Sequence, residues 1–302
     1  MQIICIIKNL LGENQYMMWE TFYDLLLDAL IDSLKLLPFL FGAYLLIEWV
    51  EHRASGRLAH SLKKAGRFGP LVGALAGCVP QCGFSVVAAN FYSGGIITMG
   101  TLVAVFLSTS DEALPILLAH PDQLWAVGAL LGGKVAIGLF AGFLIDLLFR
   151  RSVAEEQQLH HQEMCSHCHC EQGIFRSALR HSLQIFLFLF GVSLALGAAI
   201  HFVGQERLSS LLMAGSIWQP LIAGIIGLIP NCASSVLITE LYLSGALSFG
   251  AAMAGLCTGT GMGVLVLFRI HRNWKENLQV LGLTMLFGVL AGELIGLLEY
   301  LL

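Results

Sequence analysis

Residues 77–83 read Gly77-Cys78-Val79-Pro80-Gln81-Cys82-Gly83, and residues 227–233 read Gly227-Leu228-Ile229-Pro230-Asn231-Cys232-Ala233. Each heptad interrupts a long apolar stretch, residues 70–118 in one case and 220–268 in the other. Proline removes a backbone donor and clashes with the preceding turn, and glycine tolerates irregular dihedrals, so a helix breaks at each. An unpaired backbone group in hydrocarbon costs several kcal/mol, so such a break persists only where protein buries it or where it lines a wet cavity. Two half-helices of about ten residues, each too short to span a bilayer, read as a re-entrant hairpin whose exposed ends can hold an ion or a substrate. A kink used only for packing is the plainer alternative. The recurrence of an amide (Gln81, Asn231) and a thiol (Cys82, Cys232) at both breaks favours a site.

The two heptads belong to a longer duplication. From Arg57 onward the halves align at an offset of 150 without gaps, pairing Pro70 with Pro220, Pro80 with Pro230, Ser85 with Ser235, Tyr92 with Tyr242 and Gly100 with Gly250. Upstream, residues 29–42 align with residues 178–191. Low complexity aligns leucines. It does not align prolines, glycines and a tyrosine in one register.

Composition sets the solvent. Hydrophobic residues make up 57% of the 302 positions and charged residues 12%, against roughly 45–50% and 25% in soluble chains. Mean hydropathy is +0.78. Too few polar side chains remain to cover a soluble surface, so lipid is the solvent. With a net charge of −4 and no basic stripe, a nucleic-acid binder is excluded, as are a soluble enzyme and a disordered scaffold. No strand-like alternation persists, which excludes a β-barrel. Apolar spans fall near 25–50, 70–118, 124–149, 179–203, 220–268 and 278–302.

Charge orients the halves. The loop over 51–67 carries Arg53, Arg57, Lys63, Lys64 and Arg67, while its counterpart around 201–218 has only Arg207. The loop over 120–123 has no Lys or Arg, while its counterpart has Arg269, Arg272 and Lys275. Under the positive-inside rule equivalent loops face opposite sides, so each half crosses an odd number of times, as in inverted-repeat transporters. The expected fold is an all-α polytopic membrane protein of two inverted-topology repeats, each with a Pro-broken re-entrant hairpin and an interrupted helix. The expected units are an N-terminal segment (1–23), a first repeat (24–149), a His/Cys-rich linker (150–175) and a second repeat (176–302). The amino terminus lies outside and the linker inside. Asp24, Asp28 and Asp32, one turn apart, read as an acidic stripe facing headgroups at a helix start.

A second interruption, Leu107-Ser108-Thr109-Ser110-Asp111-Glu112-Ala113-Leu114-Pro115, sets two carboxylates inside an apolar stretch. An acid at a helix centre costs roughly 2.5–3.5 kcal/mol on insertion scales and usually marks an ion pathway. Its counterpart, residues 257–263, replaces the acids with Gly261 and Met262 and keeps the hydroxyls of Thr258 and Thr260. The alternative sets Asp111 and Glu112 in the headgroup zone. Glu240, whose repeat partner is Asn90, could complete a site, and Lys134 could pair with a carboxylate. Asp146, Glu293, Glu48, His52 and Glu299 carry weaker signals, most of them near span ends.

The linker packs His160, His161, Cys165, His167, Cys168, His169 and Cys170 into a short polar run. Thiolates and imidazoles suit Zn²⁺, Cu⁺ or Cd²⁺. One such cluster without a second pair at zinc-ribbon spacing is not a folded finger, so it reads as an accessory metal-collecting loop, with an incidental reduced-thiol loop as the alternative. No other cofactor is implied.

The run Cys78-Val79-Pro80-Gln81-Cys82-Gly83, followed by Tyr92, Gly100 and Leu107–Pro115, resembles the ten-helix heavy-metal exporters, a family variously linked to arsenic efflux or manganese transport. It is similar, more distantly, to organoarsenical permeases. The resemblance spans almost the whole chain and implies ten helices, five per half, and export of a metal or metalloid from the cytoplasm across the inner membrane.

No G-x-x-x-x-G-K-[ST] is present, so ATP coupling would need another subunit. The leading reading is a secondary exporter driven by proton exchange, working in lipid as a monomer or homodimer. Gln81, Cys82, Asn231 and Cys232 would line the central site, with Asp111 and Glu112 as cation ligands or proton-coupling acids. A hard ion such as Mn²⁺ would take oxygens of Ser108, Ser110, Asp111, Glu112 and Thr258. A thiophilic species such as arsenite would take Cys78, Cys82 and Cys232. A permease for an organic solute and a channel are the competing readings. Neighbouring Asp111 and Glu112 point to different helix faces and make no catalytic dyad, and no H-E-x-x-H is present, so an enzyme is not expected.

Overall fold

The computed structural model describes residues 68–79, 83–109, 113–120, 124–149 and 218–301, with helical positions scattered over 23–45 and 175–195. The described residues are helical and contain no strand. Ten helices have described bounds. The first five are α1 (Gly69–Gly77), α2 (Gly83–Ser93), α3 (Met99–Ser108), α4 (Ala113–Leu118) and α5 (Leu124–Leu148). Their counterparts are α6 (Gln219–Gly227), α7 (Cys232–Leu243), α8 (Phe249–Thr258), α9 (Gly263–Ile270) and α10 (Trp274–Leu301). Shifting α1 or α3 by 150 positions lands on the bounds of α6 or α8.

Local chemistry explains these bounds. Pro70 and Pro220 sit in the first turns of α1 and α6, where the missing N–H has no partner to lose. Thr98 and Ser248 cap α3 and α8, their hydroxyls accepting from the N–H groups of Thr101 and Ala251. After α2 and after α7 the chain turns through Gly95 (φ 67°) and Gly245 (φ 75°), a left-handed conformation that favours glycine.

The packing partners repeat too. α1 and α5 pack on α3, as α6 and α10 pack on α8. Across the halves, α2 packs on α9 while α7 packs on α4, and α3 packs on α10 while α8 packs on α5. Exchanging the halves leaves the list of packed pairs unchanged.

Close approaches give each helix a direction. A Cβ on Gly69 would meet Thr101 at the start of α3, and one on Gly77 would meet Ser108 at its end. α1 and α3 therefore run the same way, and α2 runs back between the end of α1 and the start of α3. α5 runs antiparallel to α3: Asp146 meets Gly100, and a Cβ on Gly138 would lie 3.0 Å from the Ala104 carbonyl. Further toward its start, α5 leaves α3 and follows α8 backwards. Lys134 reaches Leu256, Gly133 faces Met253, and the Trp125 ring lies 5.8 Å from that of Phe249. α3 and α8 thus approach from opposite ends of α5 and stop at the same level.

Contacts at the helix ends agree. Tyr92, at the end of α2, donates its hydroxyl to Glu276 Oε2 at 3.5 Å and stacks near His271 at 5.3 Å. The loop after α2 and the loop before α10 therefore share one face, while Trp125 and Phe249 mark the other.

By length and composition four segments can cross a membrane: Met99–Leu118, Leu124–Leu148, Phe249–Ile270 and Trp274–Leu301. α3 and α8 are buried along their whole length. α5 and α10 present large apolar side chains outward, Phe140 at 66%, Leu147 at 69% and Leu294 at 63% exposure. A soluble protein would hide these. The inner pair is interrupted and the outer pair is continuous.

Candidate functional site

Where α3 and α8 stop, their last carbonyls have no partner further along the helix, and each end carries the negative pole of its dipole. Lys134 on α5 answers both. Its ammonium donates to the carbonyl of Thr109, the cap of α3, and to the carbonyl of Leu256 in the last turn of α8, the latter at 2.7 Å. The side chain is 0% exposed. Burying a charge costs several kcal/mol unless it is hydrogen-bonded and compensated, and two helix termini supply much of that compensation. At the equivalent position the second half has Thr284, buried and bonded to Val280 O in its own helix. The halves are unequal here.

Other breaks adjoin this junction. The Lys134 charge reaches the thiols of Cys78, which caps α1, and Cys257, in α8. Cys78 is half-buried and donates to Ala74 O at 3.4 Å, whereas Cys257 is fully buried. A Cβ on Gly263, at the start of α9, would lie 2.7 Å from Ser85 O at the start of α2. In the second half, a Cβ on Gly259 would lie 3.6 Å from Ser235 Oγ. The ends of α1, α3, α6 and α8 and the starts of α2, α7 and α9 therefore meet in one region.

The predicted residues divide. Ser108 donates to Ala104 O at 2.8 Å, and Thr258 donates to Gly224 O at 2.8 Å, tying α8 to α6. Both hydroxyls, at the ends of α3 and α8, therefore donate to backbone carbonyls. Asn231 serves as the cap of α7, its Oδ1 accepting from Ala233 N–H at 3.1 Å, which leaves its amide protons for other work. Cys232 opens α7 and is half-buried. Glu240 lies exposed on α7 and does not join the junction, while its repeat partner Asn90 is buried and bonded to Val86 O. Asp146 and Glu299 cap helix starts: Asp146 accepts from Gly100 N–H, and Glu299 accepts from Gly250 N–H at 3.3 Å.

Gln81, Cys82, Ser110, Asp111 and Glu112 lie outside the described residues. So do Asp24, Asp28, Asp32, Glu48, His52, the linker ligands His160, His161, Cys165, His167, Cys168, His169 and Cys170, and the first residues of the expected units beginning at 24, 150 and 176. Among the described residues no group of three or more His, Cys, Asp and Glu is placed to hold a metal ion.

A helical protein with buried, interrupted helices meeting at a charged junction inside an apolar shell has the construction of a transporter. A family model described as "Putative, 10TM heavy-metal exporter" matches residues 21–203 and 183–300. The chain belongs to this family. No curated protein and no solved structure gives a significant match. Membership in the 10TM exporter family agrees with the all-helical architecture and the membrane-length segments.

Sequence reading gave too little weight to three residues at the junction. Lys134 stands out in the sequence as a lone cation in an apolar helix, and its described hydrogen bonds to two backbone carbonyls are not legible there. Cys257, a lone thiol in an apolar stretch, carries no polar signal in the sequence. Thr260 is fully buried with no hydrogen-bond partner for its hydroxyl among the described residues. Its only sequence signal was the run of hydroxyls and glycines over 257–263.

Proposed function

We propose that this heavy-metal exporter family member is a secondary transporter that moves a metal cation or metalloid out of the cytoplasm in exchange for protons. Its site lies where the two hairpin breaks and the two interrupted helices converge. The observation that supports this most is the meeting of α3 and α8, from opposite ends of α5, at a single buried ammonium. Two opposed half-helices ending at one depth are the arrangement through which inverted-repeat transporters bind ions.

Within this reading Gln81, Cys82, Asn231 and Cys232 line the site from the hairpins, and Ser108, Ser110, Asp111, Glu112 and Thr258 line it from the interruptions. Asp111 and Glu112, just after the α3 cap in sequence, carry the proton coupling. A hard cation takes the oxygens. A thiophilic species takes Cys78, Cys82 and Cys232, and the fully buried Cys257 beside the junction favours giving that alternative a hearing. The linker cysteines and histidines collect metal on the cytoplasmic side. The loop charges orient the chain in the cytoplasmic membrane with its amino terminus outside.

The test is expression in a host deficient in metal efflux, challenged with manganese, zinc, cadmium and arsenite, with cell metal content measured. Export predicts increased tolerance and lower content for at least one of them. Unchanged accumulation of all four would remove metal export and leave an organic solute as the cargo.

A further inference from the structure

The Lys134 ammonium sits where a bound cation would sit. We propose that the junction between α3 and α8 is a cation seat, that Lys134 fills it in this state, and that the transported divalent metal takes it by displacing the lysine. The inference deepens the export reading and rests on it.

Three observations carry the proposal. The first is the donor set: the carbonyls of Thr109 and Leu256, one from each half, converge on one positive centre. Carbonyl oxygens at helix C-termini are cation ligands in their own right. A lysine on a flexible stem is a point charge that can leave such a pair and return, unlike a planar arginine fork. The second observation is asymmetry. The packed pairs of the two halves correspond throughout, yet the cation comes from α5 alone, and α10 offers the uncharged Thr284 at the equivalent position. Tying the two helix ends together would be served by a donor from either half, whereas one seat needs one resident charge.

The third observation is Thr260. It lies two residues beyond the end of α8, is 0% exposed, and its hydroxyl has no hydrogen-bond partner among the described residues. An unmade hydrogen bond on a buried hydroxyl costs about 1–3 kcal/mol, and an isosteric valine at 260 would remove that cost. An oxygen kept at this cost just past the helix end that supplies Leu256 O is, in this proposal, the third ligand for the occupant of the seat. Together with Thr109 O and Leu256 O it gives the metal three oxygens of the kind a hard cation prefers. The exchange is electrostatic: the metal enters as the ammonium withdraws, and the protein never holds both charges in the seat.

The experiment measures Mn²⁺ and Cd²⁺ binding to the purified full-length chain by calorimetry in detergent, for wild type, Lys134→Met and Thr260→Val. Methionine keeps the length of the stem and empties the seat. Removing a resident competitor that leaves the seat a tenth of the time tightens apparent binding about tenfold. Lys134→Met should therefore bind Mn²⁺ about tenfold more tightly and release it too slowly to export. Thr260→Val should weaken Mn²⁺ binding about tenfold while melting no lower than wild type, a pairing that a purely structural hydroxyl would not give. If Lys134→Met fails to fold, Thr260→Val decides alone. Unchanged Mn²⁺ affinity in Thr260→Val, or Lys134→Met binding no more tightly than wild type, overturns the seat while leaving export intact. If wild type binds neither metal, the seat falls, while export itself is decided by the four-substrate tolerance assay.

Discussion

The carboxylate of Asp146 accepts the backbone N–H of Gly100 at 2.9 Å, so the last turns of α5 close the first turn of α3. The other carboxylate oxygen takes the hydroxyl of Thr98 at 2.8 Å. An acid at the positive end of a helix is stabilising, and here it also fixes the level at which α3 begins and therefore where α3 stops. Asp146→Ala leaves the Gly100 N–H unsatisfied and removes one acceptor from the Thr98 hydroxyl, at a cost of about 1–3 kcal/mol. We expect a lower melting temperature in detergent for Asp146→Ala and a smaller drop for Asp146→Asn, which keeps an acceptor. Glu299→Ala, which removes a single longer bond at an exposed position, should cost less than either.

Close packing of α1, α3 and α5 depends on Gly142. A Cβ there would lie 2.8 Å from both Gly100 O and Pro70 Cβ. Gly142→Val should reach or exceed the upper end of the roughly 1–3 kcal/mol cost of overpacking and reduce the yield of monodisperse protein. Gly128→Ala, with nothing within 4 Å of the added methyl, should match wild type or melt slightly higher, since alanine favours helix by up to about 1 kcal/mol.

The two substrate chemistries separate at one thiol. Cys82→Ser keeps size and polarity but loses a soft ligand. For an oxygen-ligated metal it should spare manganese tolerance, and for a thiophilic cargo it should abolish arsenite tolerance. Growth in graded concentrations of each salt reads the difference directly.

Replacing Cys165, Cys168 and Cys170 by serine should lower the Zn²⁺ or Cu⁺ bound per purified chain. As an accessory collector, the loop should leave export at saturating metal unchanged. A loss of export at saturation would promote the linker to an essential part of the path.

The sequence announces its breaks because proline and glycine are expensive at lipid depth, and announces the duplication because they recur in one register. Helix bounds follow for the same reason: Thr98 and Ser248 cap, and Gly95 and Gly245 turn. Other features need three dimensions. α10 begins at Trp274, earlier than the apolar run near Leu278, because Asn273, Glu276 and Asn277 bond among themselves and to His271, so polar residues there join the helix. Asn231 reads as a ligand, yet its oxygen is spent on a cap. The partners of Lys134 were illegible because orphaned carbonyls at a helix end have no residue type. Glu240 misleads for the opposite reason, since its charge is visible in the sequence and its outward direction is not.

The central claim is that α3 and α8 enter from opposite faces and meet midway. It is tested most directly by placing cysteines at Gly94, in the turn before α3, and at the equivalent Ser244, in the turn before α8, in a background lacking the native thiols. A membrane-impermeant maleimide is then applied to right-side-out and inverted vesicles. The account predicts that Gly94→Cys labels only from the cytoplasmic side and Ser244→Cys only from the outside. Labelling of both from the same side would contradict it.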